Sequence, residues 1–431
     1  MKHANLIIDF FSNTGEKDQA LMYLNLYTKT PAYEFAVIKI GGNILKQEID
    51  KVADTLCYLY DLGLYPVIIH GAGPQIKAAL KKNNINTKKI DGQRITGEKE
   101  LGVIVSVMKN INQNLVKKIN ENNGKAESLT KDIFFCKKAK NKRLGFVGEI
   151  KSVNTDMIKK SIRNKKIPVV SSLGYDESGN LFNINADCAA KELILKIKPK
   201  KFILLSSPGG ILNKDKKIIS YINLKSEYDS LIKDKIVTEG MLLKLSQIKD
   251  LLENINYNFS VQIASPKNLI KELFTIKGSG TFIKKGIDIK VLDSFSSVDK
   301  NRLKFLLEQS FSRKLKEVYF KQKIEKIIIE ENYKGAIILK KIKDNIYVDK
   351  FAVLKEFQGE GIGRDLWIYL EENQKKFFWR ARPENDINTF YSKNSTGIYK
   401  AKSWHVFSKN IGPKYLKEII EYSINKGESF V

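Results

Sequence analysis

The chain reads as two units in series: an open, mainly parallel α/β sheet sandwiched by helices over residues 31–285, then a smaller α+β domain over 286–431, with a helical arm at 1–30. From Phe35 onward, short β-branched runs alternate with longer helical patterns, the rhythm of parallel strands joined by crossover helices. That rhythm stops between Lys284 and Asp299, where the helix KNRLKFLLEQSF opens a succession of adjacent strands. Glycine clusters stand at strand ends in both units: Lys39-Ile-Gly-Gly42 and His70-Gly-Ala-Gly73 in the first, Gln358-Gly-Glu-Gly-Ile-Gly363 in the second. Glycine leaves room for bare backbone N–H groups to converge on a phosphate, so each cluster predicts a phosphate-bearing ligand.

Residues 1–30 carry one amphipathic helix or two, suited to packing or to an oligomer arm. FAVIKI (Phe35 to Ile40) predicts a buried strand, followed by a helix to about Leu62, the strand YPVIIH and a helix from Pro74. IPVVSSLG (Ile167 to Gly174), the helix DCAAKELILKI, the strand KFILLSS (Lys201 to Ser207) and SGTFIKK (Ser279 to Lys285) complete the first unit. Ligands of open parallel sheets sit outside the carboxyl ends of strands, where both front glycine clusters fall. In the second unit KIIIEE, KGAIILKKI and IYVDKFAVL predict an antiparallel sheet. It runs into the third glycine turn and the helix GRDLWIYLEENQKK.

At 431 residues, 42% apolar and 29% charged, the composition is that of a globular protein too long for one core. Cys57, Cys136 and Cys188 form no CxxC pair, which argues against a disulfide framework or zinc site and for a reducing compartment. The opening MKHANLIIDFF lacks a small-residue cleavage site, and no run reaches membrane-spanning length, so a cytoplasmic protein is expected. The formal charge of +27 is spread along the whole chain. Its densest runs, Lys137 to Arg143 and Lys196 to Lys201, have no interleaved aromatics for stacking bases, which argues against nucleic-acid binding. Such a field favours anionic small substrates.

Lys39-Ile-Gly-Gly42 lacks the Walker spacing. Taken with His70-Gly-Ala-Gly-Pro-Gln75, Gly92-Gln-Arg-Ile-Thr96, Asn183-Ile-Asn-Ala-Asp187 and Thr238-Glu-Gly-Met-Leu-Leu-Lys244 in this order, it resembles the amino acid kinase family and, within it, the N-acetylglutamate kinases. The resemblance implies ATP with Mg²⁺ as cofactor and no metal ligands from protein side chains. It places Lys39 and Lys244 on either side of the transferring phosphoryl group, with Asp187 holding both. Backbone groups at Gly41, Gly42, Gly71 and Gly73 would hold phosphate oxygens, Arg94 would clamp a substrate carboxylate, and Asn183 would hydrogen-bond N-acetyl-L-glutamate. A carboxylate nucleophile is already ionised, so catalysis reduces to positioning and charge neutralisation. Singly, Asp187 also reads as the N-cap of the helix after it and Lys244 as a surface lysine. His70 receives no chemical role. Ser206-Ser-Pro-Gly-Gly-Ile-Leu212 lacks the acidic residue that the family carries after the first Ser, as in its fused branch.

Gln358-x-x-Gly361-x-Gly363 after a strand resembles the acetyl-CoA loop of the GNAT superfamily. With Phe378-Trp-Arg-Ala-Arg-Pro-Glu-Asn385 and Phe390-Tyr391, it is similar to the acetyltransferase domain of vertebrate-like N-acetylglutamate synthases. The resemblance assigns acetyl-CoA to Val353, Gln358, Gly361, Gly363 and Arg364. Tyr391 becomes the acid for the leaving thiolate, and Asn385 orients the amine or the carbonyl. Lys350, Arg380 and Arg382 would bind the carboxylates of L-glutamate, with Arg313 or Lys314 adding to them. Alternation along a strand puts Arg380 and Arg382 on one face, which suits a dianion or, equally, a surface salt-bridge strip.

Glu272-Leu-Phe-Thr-Ile-Lys-Gly278 resembles the arginine-binding segment of feedback-inhibited acetylglutamate kinases, with Glu272 accepting the guanidinium, Gly278 approaching by backbone and Lys267 nearby. A plain helix-to-strand turn is the other reading. The whole pattern implies a bifunctional enzyme of arginine biosynthesis, regulated by L-arginine and assembled as a homo-oligomer, tetramer or dimer. It would acetylate glutamate and phosphorylate the product. The rival readings are a synthase whose kinase-like half only senses arginine, and a kinase with a non-catalytic second domain.

Overall fold

The computed structural model describes residue 8 and residues 17–431, except 91, 234, 235, 238, 258, 276–278, 359 and 360. Two compact units emerge, Met1–Lys285 and Gly286–Val431.

The strands of the first unit are, in chain order, β1 Ala36–Ile40, β2 Val67–His70, β3 Lys89–Ile90, β4 Gln93–Arg94, β5 Ala126–Leu129, β6 Phe134–Lys138, β7 Gly148–Val153, β8 Ile167–Ser171, β9 Leu173–Tyr175, β10 Leu181–Asn183, β11 Lys201–Leu205, β12 Tyr221–Asn223, β13 Ser260–Ala264 and β14 Thr281–Lys284. Eight of them make one sheet in the order β12-β14-β13-β11-β1-β2-β8-β5. The ladders are parallel from β13 across to β5; β14 then runs antiparallel to β13. Every residue of β1, β8, β11 and β13 is buried. Helices therefore cover both faces, which is why these strands read as unbroken apolar runs. Alternation divides them between two cores: Val37, Ile69 and Phe202 point into one, and Ile38, Ile40 and Ile203 into the other. A smaller sheet, β10-β9-β6-β7, and the hairpin β3–β4 stand beside the main one.

The helix Lys17–Thr28 sets Ala20, Tyr23, Leu24 and Tyr27 into the second of these cores, and Tyr27 donates its hydroxyl to the Leu273 carbonyl at 2.5 Å. It thus packs on its own unit.

The second unit has the strands β15 Ile289–Leu292, β16 Lys326–Glu330, β17 Gly335–Ile342, β18 Asn345–Val353, β19 Phe377–Ala381, β20 Gly397–Lys400 and β21 His405–Lys409. They form one sheet in the order β15-β16-β17-β18-β19-β21-β20, antiparallel except for β18 with β19. That parallel ladder ends at Val348 opposite Trp379, although β18 runs on to Val353 and β19 to Ala381. Where it ends, β18 carries a bulge: Ile338 pairs with Lys350 and Leu339 with Val348, leaving Asp349 as the extra residue.

Ile38 lies in a central strand with no exposed surface. Ile38→Ala should destabilise the first unit by about 2–5 kcal/mol, read as a lower denaturant midpoint at unchanged slope.

Candidate functional site

In the first unit the ends of β1 and β2 bring the two front glycine segments together. Gly71 N–H donates to the Ile40 carbonyl at 3.0 Å, and Gln75 Nε2 donates to the Gly42 carbonyl at 2.8 Å. A Cβ on Gly42 would stand 2.8 Å from both Pro74 Cδ and Gln75 Oε1, so the close approach requires glycine there. Gly73 opens the helix Gly73–Lys82, and a Cβ built on it meets nothing within 4 Å. Side-chain-free backbone at a helix N-terminus is the local chemistry that accepts phosphate oxygens.

Lys39 alternates to the face of β1 that meets the helix Ala186–Ile197, and its Nζ lies 2.7 Å from Asp187 Oδ1. The N-cap of that helix is Asn185, whose Oδ1 accepts from Asp187 N at 2.7 Å and Cys188 N at 3.4 Å. Asp187 is thereby released from capping and faces the lysine. Lys244, on the helix Glu239–Glu253, lies within electrostatic range of both. Burial and then repulsion from Lys39 lower its amine pKa, and Asp187 opposes them. All three side chains expected to surround a phosphoryl group therefore converge. Thr238, in the motif before Lys244, lies outside the described residues.

Arg94 sits on β4, half-buried, its Nη1 3.4 Å from Thr87 Oγ1 and its pKa lowered by burial. The next turn is pinned by Thr96, which donates to the Arg94 carbonyl at 2.9 Å and accepts from Asn183 Nδ2 at 3.2 Å. The hairpin and β10 thus set Arg94 and Asn183 on one small network. His70 is buried and neutral, burial lowering its pKa to about 4; its Nε2 lies 3.1 Å from Asn112 Nδ2. That is a packing role.

The expected arginine-binding carboxylate, Glu272, is fully buried and accepts from Gly280 N–H at 2.7 Å. Burial raises its pKa, against the pull of Gly280 and Lys201. Lys201 donates to the Glu272 carbonyl at 2.7 Å and lies 3.8 Å over the Tyr23 ring. Glu272 is therefore closed in by its own chain, where sequence reasoning expected it to face a ligand. Gly278 lies outside the described residues, and Lys267 is exposed.

In the second unit Gln358 donates to the Val353 carbonyl at 3.3 Å, closing the turn after β18. Gly361 caps the helix Ile362–Asn373 at φ 87°, a left-handed conformation that favours glycine. A Cβ on Gly363 would meet Phe351 and Val353 at 3.2 and 3.3 Å. Arg364 lies in the first turn of this helix. Val353, Gln358, Gly361, Gly363 and Arg364 are thus gathered where the β18–β19 ladder has already ended.

Tyr391 is buried among Phe351, Trp367, Trp379 and Phe407, with ring centroids 5.5 to 6.5 Å away, and burial pushes its hydroxyl pKa well up. Asn385 is exposed, and its Oδ1 accepts from Ile387 N at 3.3 Å. It shapes the turn leading to the helix Asn388–Asn394, which carries Tyr391.

The arginines do share a face: Arg380 and Arg382 lie 3.8 and 4.1 Å over the Trp404 ring. Their partners differ. Arg380 donates to the carbonyls of Ser423 and Lys426 at 2.5 and 2.7 Å, whereas Arg382 is ion-paired to Glu428. Arg313 Nη2 reaches the same carboxylate at 2.5 Å. The Lys314 carbonyl accepts from Val431 N at 2.9 Å.

Sequence reasoning missed what surrounds Lys350. Simple alternation would put Asp349 and Lys350 on opposite faces, but the bulge lets Lys350 Nζ reach Asp349 Oδ2 at 3.1 Å. Asp349 also has Lys426 at 2.9 Å, Lys340 at 3.4 Å and the Tyr319 hydroxyl at 2.7 Å. Burial alone would raise its carboxyl pKa; these neighbours, Lys350 foremost, hold it well below the usual range. Burial brings Lys350 down to about 8 despite Asp349, with Lys426 and Lys340 adding. No local signal in the sequence announces this cluster, because its members come from positions 319 to 426.

Residues 34–265 match the profile of the amino acid kinase family. The chain belongs to the amino acid kinase family. Residues 290–423 match the profile of the N-acetyltransferase of N-acetylglutamate synthase, so this enzyme joins a kinase domain to an acetyltransferase domain. An acetylglutamate kinase from Xylella fastidiosa is 40% identical over 386 residues, 89% of this chain and 92% of that protein. Protein arg11, mitochondrial, from Schizosaccharomyces pombe is 33% identical over 93% of this chain but 46% of its own length. N-acetylglutamate synthase from Neisseria gonorrhoeae, solved with coenzyme A and N-acetyl-glutamate, shares the fold at a TM-score of 0.65 and 17% identity. That alignment covers 92% of this chain and 98% of that one. Among the described residues no helix is long and apolar enough to cross a membrane, and no group of three His, Cys, Asp or Glu could hold a metal ion.

Asp349 is the shared counter-charge of three neighbouring amines in a dry setting. Asp349→Ala should destabilise the second unit by about 3–5 kcal/mol, read by thermal or denaturant unfolding, because it strands buried charge.

Proposed function

We propose that the chain catalyses two consecutive reactions: acetylation of L-glutamate by acetyl-CoA, and phosphorylation of the resulting N-acetyl-L-glutamate by ATP on its side-chain carboxylate. The observation that carries the kinase reading is the Lys39–Asp187 ion pair with Lys244 beside it. A chain that only sensed arginine would have no use for a second lysine held within electrostatic range of the Lys39–Asp187 pair. Lys39 and Lys244 would neutralise charge spreading over the transferring phosphoryl group, and Asp187 would keep them apart and oriented. Gly41, Gly42, Gly71 and Gly73 would hold phosphate oxygens, and Arg94 and Asn183 the acetylated substrate. ATP supplies the phosphoryl group, accompanied by Mg²⁺ whose ligands come from phosphate and water.

In the second unit acetyl-CoA supplies the thioester. Val353 and the segment from Gln358 to Arg364 would seat it; the small cross-section at Gly363, against Phe351 and Val353, fits a close-lying chain. Tyr391 would hold the proton destined for the leaving sulfur, its aromatic surroundings keeping it neutral at working pH. Arg382 and Arg313, with Lys350 and Arg380 behind them, would take glutamate's carboxylates. Asn385 would act through the loop that places Tyr391. Arginine would act as effector near Glu272, where a buried carboxylate, Lys201 and the helix Lys17–Thr28 meet, and we read the assembly as a cytoplasmic homo-oligomer.

A paired assay tests both halves. ADP release with N-acetyl-L-glutamate and Mg-ATP should vanish in Lys244→Ala while CoA release persists. CoA release with glutamate and acetyl-CoA should fall about 10²–10⁴-fold in Tyr391→Phe while ADP release persists. Absence of either activity from the unaltered chain would reject that half. Inhibition by glutarate, which has no amine to titrate, should weaken as pH rises through about 8, since Lys350 then loses its charge. Lys350→Arg should remove that dependence.

A further inference from the structure

Arg382, Arg313, Lys350 and Arg380, all assigned to glutamate binding, already have partners within one short stretch of this chain. Glu428 bridges Arg382 and Arg313, the latter at 2.5 Å. Ser429 Oγ accepts from Lys350 Nζ at 3.0 Å, and Arg380 donates to the carbonyls of Ser423, Lys426 and, at 3.4 Å, Gly427. The stretch is anchored immediately after Glu428. Lys316 N–H donates to the Ser429 carbonyl at 3.0 Å, Leu315 bridges Phe430, and the Phe430 ring packs 4.8 Å from Phe311.

We propose that the Glu428 side chain is an internal stand-in for substrate: its carboxylate sits on the arginine pair that receives a carboxylate of glutamate, and glutamate binds by displacing it. This rests on the glutamate reading of the second unit given above. The chemistry is matched closely, since Glu428 presents the same carboxylate on the same two-carbon stem as the substrate's side chain. Two guanidiniums forking onto one carboxylate are the strongest contact this site offers either of them. Displacement needs no backbone movement. Glu428 retains 29% of its side-chain exposure, and Gly427, whose Cβ position has nothing within 4 Å, precedes it. A rotation of the Glu428 side chain frees both arginines while Ser429 and Phe430 stay anchored. The contact raises the apparent glutamate requirement and keeps two guanidiniums paired between turnovers. It also discriminates: a monocarboxylate gives back only part of what the arginines lose on releasing Glu428, whereas a dicarboxylate engages the whole set.

The test is calorimetric titration of L-glutamate, and separately of glutarate, into the full chain and its Glu428→Gln and Glu428→Asp variants, with CoA release measured on the same preparations. Glu428→Gln keeps the shape and the anchored backbone, and unfolding temperature checks that it folds. The expected result is about fivefold tighter glutamate and glutarate binding in Glu428→Gln, the scale of removing a competing, partly exposed ion pair. The Michaelis constant for glutamate should fall by a similar factor at unchanged kcat, and Glu428→Asp should bind as the unaltered chain does. Unchanged or weaker binding in Glu428→Gln, with CoA release intact, overturns the displacement and leaves the glutamate site standing. No binding and no CoA release in any preparation overturns the site itself, and the displacement with it.

Discussion

A lysine amine withdrawn from water needs a carboxylate close by or it sheds its proton, and both units are organised around that requirement. In the first, Asp187 meets Lys39 at 2.7 Å with Lys244 alongside. In the second, one carboxylate, Asp349, faces Lys350, Lys340 and Lys426 together. Each arrangement leaves more positive charge than negative, and a surplus held in a poorly solvated place is a device for binding anions. The strand carrying each lysine is therefore constrained at once by sheet pairing, by burial and by the position of its counter-charge.

The backbone meets that constraint differently in the two units. In the kinase unit the parallel ladder is regular. Lys39 reaches its carboxylate by ordinary alternation, once Asn185 takes over the capping of the helix and Asp187 is left to face it. In the acetyltransferase unit regular alternation would fail, and a bulge at Asp349 brings two consecutive side chains to one place. The same region ends the parallel pairing of β18 with β19, so the irregularity that builds the charge cluster lies beside the unpaired strand ends. Charge placement then follows from one principle in both units: a lysine on a buried strand whose carboxylate partner is fixed.

The sheets and the glycine clusters could be read from the chain because each leaves a local mark, whereas the meeting of Lys39, Asp187 and Lys244 was implied only by the family resemblance. Burial on both faces makes β1 and β11 continuous apolar runs, and close backbone approach demands glycine at Gly42. Arg380 and Arg382 were legible as a same-face pair from spacing alone, and both lie over Trp404. For Glu272 the sequence left an arginine contact and a plain turn open; its burial beside Lys201 and the helix Lys17–Thr28 depends on segments far from it in the chain. Arg313 and Lys314 were grouped by adjacency, and the fold gives Arg313 an ion pair with Glu428.

What the amino-acid sequence determined by itself is periodicity and permission: where strands and helices alternate, where backbone is left bare, and which side chains could carry charge to one face. What only the tertiary structure decided is partnership. Asp349 is set among one amine of its own strand and two drawn from other segments, and Glu428 is laid across two arginines far apart in the chain. Periodicity is a local property of bonded neighbours. The energy of a buried charge depends on which distant groups surround it, and that is settled only when the chain has folded.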